Sequence, residues 1–438
     1  TADDVVFTYQ AIKTWKSPLL NNFRNVNVLR VDDQTIQFQL PKANPSFLNL
    51  LTVGIMPAHI WEDLSDVNAM LTDANLKPIG SGPYQALSFT RDSKGFIFSY
   101  HLRAWPKYYG IAPFIKDVTF RFYGDRVQAQ NALRGNQVDT LAFVPWGDVA
   151  TIKNKNVHSL KLELPQETVA FFNTKDAVLK DERLRTALSM AIDHHELQDL
   201  IGAHATLINS PFPFLEATTS TPENLEGARA LLQSMGWILN AGETVRHFVP
   251  VVVPKSTKKT ASVTTSSTPL TLTIDVPEQP DLLKVADFLK RRWSLLGIQV
   301  AIQSTDPESL LRQILNDRSY QIVVWNILLP ETQDLTPFWN SGSATGNGLN
   351  LSNLQDRDVD NALNALNNVT STEGLLSARL RLANTILARV PALFLLRPAY
   401  AYMVSNRVLG TSDERISRPA DRLRNMNTWY IKTDLRWK

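Results

Sequence analysis

The chain has 438 residues, more than one typical core accommodates, so about two or three domains are expected. Hydrophobic residues make up 44% and charged residues 20%, the balance of an ordinary soluble globular protein. The 45 basic and 42 acidic side chains leave a formal net charge of +3, which argues against a nucleic-acid partner, and the absence of cysteine excludes disulfides, thiolate metal sites and a cysteine nucleophile.

Thr1-Ala-Asp-Asp4 reads as a helix start, with Thr1 as cap and Asp4 at the third helical position. The chain opens with neither an initiator Met nor a signal peptide, so a removed leader or a fragment is expected. Ile36, Phe38 and Leu40 alternate with polar residues, the period of a half-buried strand. The cluster Pro78-Ile-Gly-Ser-Gly-Pro83 is a turn ahead of strands near 84–89 and 96–102. A strand over 117–123 leads to a helix over 126–134, and Asp181 caps an amphipathic helix burying Leu184, Leu188, Ala191 and Ile192. Thr221-Pro222-Glu223 predicts another helix start, with Gly236 at its end. Lys255–Thr268, rich in Ser, Thr and Lys, is expected to be a mobile loop inside a domain.

From Leu270 the pattern alternates: strand 270–276, helix 281–296 closed by Gly297, strand 298–303, helix 307–316, strand 320–325. Such alternation implies parallel strands joined by right-handed crossovers. Ligands of open α/β sheets gather beyond the carboxyl ends of the strands, which points at Trp325 and the loop through Asn340. No run reaches the ~18 uninterrupted apolar residues of a membrane span; the nearest, Val390–Val404, is broken by Arg397 and two prolines.

Catalytic signatures are missing. None of the seven histidines forms His-Glu-x-x-His, and His194-His195, following a helix end, fits a cation on the helix dipole. Gly80-Ser81-Gly82 lacks the Lys of a phosphate loop, and Gly342-Ser-Ala-Thr-Gly346 carries Ala344 where a nucleophile elbow needs Ser. Trp146 follows a predicted strand, Trp325 ends one and Trp339 lies in the loop beyond. Such aromatic faces line clefts for extended ligands, while packing in cores or domain junctions is the commoner use of a tryptophan.

Several segments, in order along the chain, resemble the dipeptide/oligopeptide-binding group of extracellular solute-binding proteins. They are Thr1-Ala-Asp-Asp-Val-Val-Phe-Thr-Tyr9, Pro78-Ile-Gly-Ser-Gly-Pro-Tyr84, Gly135-Asn-Gln-Val-Asp139, Phe172-Asn-Thr174 with Asp181–Leu188, Ala228–Trp237 and Asn425–Thr433. The resemblance implies an α/β, multi-domain, two-lobed periplasmic-binding-protein-like clamp with mixed sheets and the ligand held between lobes. The organisation expected is a small domain over 1–84, a first lobe over 85–195, a second lobe over 196–400 with parallel strands, and a return to the first lobe over 401–438. That family carries a further segment before its equivalent of Thr1, so the first lobe is expected to lack some strands.

Position by position, Trp325 and Asn326 resemble strand-end residues that contact peptide backbone. Asn173 resembles a cleft asparagine beside the crossing between lobes, where a hinge-capping role is the alternative. Leu19, after Ser17-Pro18, resembles a small-domain position that faces ligand. Members that grip a peptide's amino terminus place an Asp just after the strand that holds Trp325; here Leu or Pro stands there, and Glu331 is the nearest acid. The implied role is an extracytoplasmic receptor, monomeric and without a cofactor or metal, that hands peptides to the membrane subunits of an ABC importer. A non-peptide solute such as a sugar or metal chelate, a hydrolase, and an assembly protein on the same scaffold are the alternatives.

Overall fold

In the computed structural model, the structure describes residues 1–432 apart from 16, 18, 42–46, 203, 213–214, 216–221, 250–267, 331–333, 347 and 370. The chain divides into two compact units, Thr1–Glu163 with Tyr400–Lys438, and Leu164–Ala399.

The first unit opens with the helix Ala2–Thr14. Asp4 ties down its start, accepting from Thr1 Oγ1 at 2.7 Å and from Ala58 N at 2.8 Å. Tyr9 and Ile12, one helical turn apart, bury against Phe23, Val26 and Phe47. Beside them stands the antiparallel hairpin of β1 (Asn27–Arg30) and β2 (Ile36–Gln39). An antiparallel sheet follows, made of β3 (Tyr84–Arg91), β4 (Ile97–Ala104) and β5 (Asp117–Arg121). The helix Arg126–Arg134, capped by the Asp125 side chain, leads to β6 (Thr140–Pro145) and β7 (Val157–Glu163).

The second unit begins with β8 (Gln166–Phe172), followed by the helices Glu182–Met190 and His194–Ile201 and by β9 (Thr206–Leu207). The helix Leu225–Ser234 and the short antiparallel strands β10 (Trp237–Ile238), β11 (His247–Phe248) and β12 (Thr268–Pro269) come next. Then the predicted alternation unfolds: β13 (Thr271–Pro277), helix Pro280–Ser294, β14 (Gln299–Thr305), helix Pro307–Asn316, β15 (Ile322–Leu328). Gly297 at φ +78° lets the first of these helices stop and the chain turn into β14. Helices Arg357–Asn367 and Thr372–Leu387 precede β16 (Ala392–Arg397).

One mixed sheet, in the order β14-β13-β15-β8-β16-β9, organises this unit. β13 pairs in parallel with β14 and β15, while β8 lies antiparallel between β15 and β16. β14, β13, β15 and β16 therefore run in one direction. Alternation of side chains feeds two cores, one on each face. Ala170, Phe172, Leu272, Ile274, Ile322 and Val324 pack against the helices Glu182–Met190 and Pro280–Ser294, where Trp293 Nε1 donates to Leu188 O at 3.1 Å. Val169, Phe171, Val323, Ile327 and Phe394 pack on the other face with Leu310, Trp339 and Leu363. Arg185, 3% exposed, donates to the carbonyls of Leu179, Lys180, Arg389 and Val390, which explains an arginine inside the otherwise apolar Asp181–Leu188 segment.

The chain re-enters the first unit through β17 (Ala399–Ser405), which pairs with β6 in a sheet that also contains β7. β18 (Val408–Leu409) pairs with β20 (Tyr430–Ile431), and β19 (Glu414–Arg415) runs parallel to β7.

The structure redraws several expectations. The passage between units falls at 163/164 instead of near 195, because β8 and the Glu182–Met190 helix are central to the second unit's sheet and core. The helix expected from Thr221 starts at Leu225, where the Asn224 side chain accepts from Gly227 N. His194-His195 opens a helix, with Asp193 accepting from His195 N and Glu196 N, so the dipole there is the unfavourable end for a cation. β15 continues to Leu328, which puts Trp325 inside the strand. The loop expected over 255–268 lies, but for Thr268, outside the described residues.

Candidate functional site at the carboxyl edge of the second sheet

The carboxyl ends of β13, β14, β15 and β16 meet at one edge, beside the start of β8. Strand register fixes which side chains share a face there. Asn326 stands opposite Thr168, and Trp325 opposite Val169. Consecutive residues of a strand face opposite ways, so Trp325 and Asn326 serve different faces of the sheet. Asn326 Oδ1 accepts from Thr168 Oγ1 at 2.6 Å, an interaction that orients the half-buried amide. Trp325 is half-buried on the other face, packed against the Val169 and Phe171 core.

Glu167 is the unusual group at this edge. Its register partner Ile327 and its neighbour Val169 are core residues, and Glu167 is itself 0% exposed. Neither carboxylate oxygen has a hydrogen-bond partner among the described residues. Burial pushes the carboxyl well above the usual range, while the charge of Arg397 on β16 pulls the other way. Arg397 also donates to Thr206 Oγ1 at 3.3 Å. Two acceptor oxygens thus stand unused at the edge where ligands of such sheets gather. Glu167 is not among the residues expected at the site, yet the chain carries a signal for it: Glu167, Val169 and Phe171 share a period-2 register, and an acid in that register enters the core.

The other expected residues separate. Trp339 is 1% exposed, its ring packed on Phe171 and Phe394 with centroids 5.9 and 5.7 Å away, which makes it a core residue. Asn173 follows the far end of β8, seven residues or roughly 20 Å along the strand from Gln166. It lies away from the passage at 163/164, and its amide is fully engaged. Nδ2 donates to Tyr320 O at 2.8 Å, while Oδ1 accepts from Lys175 N at 3.1 Å and Asn353 Nδ2 at 2.9 Å. Trp146 and Leu19 belong to the first unit. Trp146 starts a short helix after β6 and packs against Leu133, Val144 and Met403, whereas Leu19, 39% exposed, precedes the short helix Leu20–Phe23. Glu331 lies outside the described residues. Among the described residues no group of three or more His, Asp or Glu side chains is placed to hold a metal ion, and no helix is long and apolar enough to cross a membrane.

Residues 1–348 match the family model of the bacterial extracellular solute-binding proteins, family 5, middle region. The chain belongs to this family. The dipeptide-binding protein of Escherichia coli is 22% identical over 347 residues, covering 74% of this chain and 59% of that protein. The nickel-binding protein NikA of Staphylococcus aureus is 21% identical over 364 residues, covering 82% of this chain and 66% of that protein. Among solved structures, the oligopeptide-binding protein AppA of Bacillus subtilis, in complex with a nonapeptide, matches with a TM-score of 0.77 at 20% identity over 99% of this chain and 84% of that one. The likeness establishes the family 5 fold, an α/β, two-lobed, periplasmic-binding-protein-like architecture. The chain spans 34% to 67% of the length of the curated relatives it matches.

Proposed function

We propose that this family 5 solute-binding protein captures peptides outside the cytoplasm and hands them to the membrane subunits of an ABC importer, without catalysing their breakdown. The observation that carries the peptide reading is the unspent hydrogen-bonding capacity of Glu167, on the Trp325 face of the carboxyl edge, with the oriented Thr168–Asn326 pair on the opposite face of the same edge. Acceptor-rich edges call for N–H donors, and a peptide brings an ammonium group and a row of backbone amides. Trp325 on the neighbouring position offers an aromatic surface for an apolar side chain. Relatives named for peptides and for nickel share the fold, so a metal chelate is the second reading.

Titration calorimetry of the full chain with di- to nonapeptides, and separately with nickel–histidine complexes, decides between them. Saturable peptide binding without peptide cleavage, weakened about tenfold by Asn326→Ala, supports the proposal. Saturable binding of the nickel complex alone replaces peptide with chelate, and cleavage of the peptides refutes the receptor role.

A further inference from the structure

The apolar core on Val169, Phe171 and Val323 takes its buried strand residues from β15, β8 and β16. On β13 and β14 the same face turns polar. Asp275 stands in register with Val323 on one side and Gln303 on the other, and Thr273 lies two residues before it. Together with Asp176, Arg318 and Gln321 these residues line a cavity of about 370 Å³.

Most groups around the cavity already have partners. Gln321 Oε1 accepts from Thr273 N at 2.8 Å, and its Nε2 donates to Asp176 Oδ2 at 3.3 Å. Asp176 Oδ1 accepts from Val178 N and Leu179 N. The Arg318 guanidinium is turned through Nη1 to Asn350 O and Asn353 Oδ1, both at 2.8 Å, and its buried Nε, a donor, has no partner among the described residues. Asp275 differs. It is 4% exposed, it lines the cavity, and among the described residues no hydrogen bond or ion pair reaches its carboxylate. Burial alone pushes its pKa up to about 6, so it is ionised at neutral pH. A desolvated carboxylate without a donor is costly unless a cation completes it.

We propose that this cavity is a second ligand site, for an organic cation with N–H donors, a guanidinium or a primary ammonium, with Asp275 as the counter-charge and Gln303 beside it. The space is far larger than the roughly 30 Å³ of one water. A hard divalent ion would need about six or more oxygen ligands, and Asp176, the second acid, is committed to Gln321 and two backbone amides. The site stands on its own residues, apart from those argued above for peptide.

The test is calorimetry on the full chain, without peptide, using n-butylguanidinium, n-butylammonium and calcium chloride as probes near neutral pH. One organic cation should bind per chain. Asp275→Asn should weaken it by about tenfold or more, as loss of a charged hydrogen bond does. Gln303→Ala, at an exposed position, should weaken it by about two- to fivefold while leaving the melting temperature unchanged. Absence of saturable binding by either organic cation, equal affinity in Asp275→Asn, or binding of calcium in their place would each overturn the proposal.

Discussion

Asn173 and Glu167, at opposite ends of β8 in the second unit's sheet, are both buried polar residues and are used in opposite ways. At the amino edge of β15, Asn173 is 7% exposed and every one of its amide bonds is made. Around it Thr174 N donates to Ser352 O at 2.9 Å, Arg318 ties the 343–350 loop, and Tyr320 donates its hydroxyl to Leu351 O. Arg318 and Asn353 sit at φ +48° and +54°, left-handed backbone that the surrounding hydrogen bonds hold in place. At the carboxyl edge Glu167, more deeply buried, has no hydrogen-bond partner among the described residues. Buried polarity alone therefore does not mark a binding site. A saturated network fixes one conformation, whereas an unsaturated group is a reserve for something that arrives later.

That contrast makes predictions that differ in size. Trp339→Ala should cost the most, about 3–5 kcal/mol of stability in urea denaturation, because it leaves a hole against Phe171 and Phe394. Asn173→Ala should cost about 2–3 kcal/mol by stranding the Asn353 amide and the Tyr320 carbonyl. In both variants the folded fraction should bind peptide with wild-type affinity, and a loss of affinity at wild-type stability would reverse the assignment of scaffold and site. Asn326→Ala should do the opposite, losing about 1–1.5 kcal/mol of peptide affinity while stability changes by about 1 kcal/mol or less.

Much of the fold was legible because its signals are local. The helices Arg126–Arg134 and Pro307–Asn316 begin at the side-chain caps Asp125 and Asp306, and Gly297 closes a helix as a positive-φ residue should. The parallel pairing of β13 with β14 and β15 follows from the alternation of strand and helix. What was not legible depends on partners distant in sequence. Nothing near Phe172 says that β8 inserts between β15 and β16, which is why the unit boundary was misplaced. Trp325 read as a strand end because the polar Asn326 interrupts the apolar run, yet Thr168 supplies its partner 158 residues away and the strand continues. For Trp339 the loop context suggested a cleft, and only the packed sheet shows a core. For Glu167 the only local signal is its period-2 register with Val169 and Phe171, which places an acid on the core side but says nothing of a ligand.

Glu167→Gln gives the smallest effect in acid and the most direct test of the difference between the edges. A carboxyl whose pKa is raised on folding holds its proton more tightly in the folded state. It therefore adds stability below its ordinary value of 4.5, and that contribution is lost as pH rises through the folded-state value. Glutamine keeps the shape and cannot ionise. The stability difference between variant and wild type should be about 1 kcal/mol or less at pH near 4 and should grow in favour of the variant above the ordinary value. Peptide then separates a ligand group from a merely buried one. If the peptide ammonium meets Glu167, the carboxyl ionises on binding and a proton leaves for the buffer. At mildly acidic pH the binding heat of wild type should then depend on the ionisation enthalpy of the buffer, and this dependence should vanish in Glu167→Gln together with about 1.5–3 kcal/mol of affinity. Identical buffer dependence and affinity in the two proteins would mean that Glu167 stays protonated and unvisited, and the carboxyl edge would lose its distinction from the amino edge.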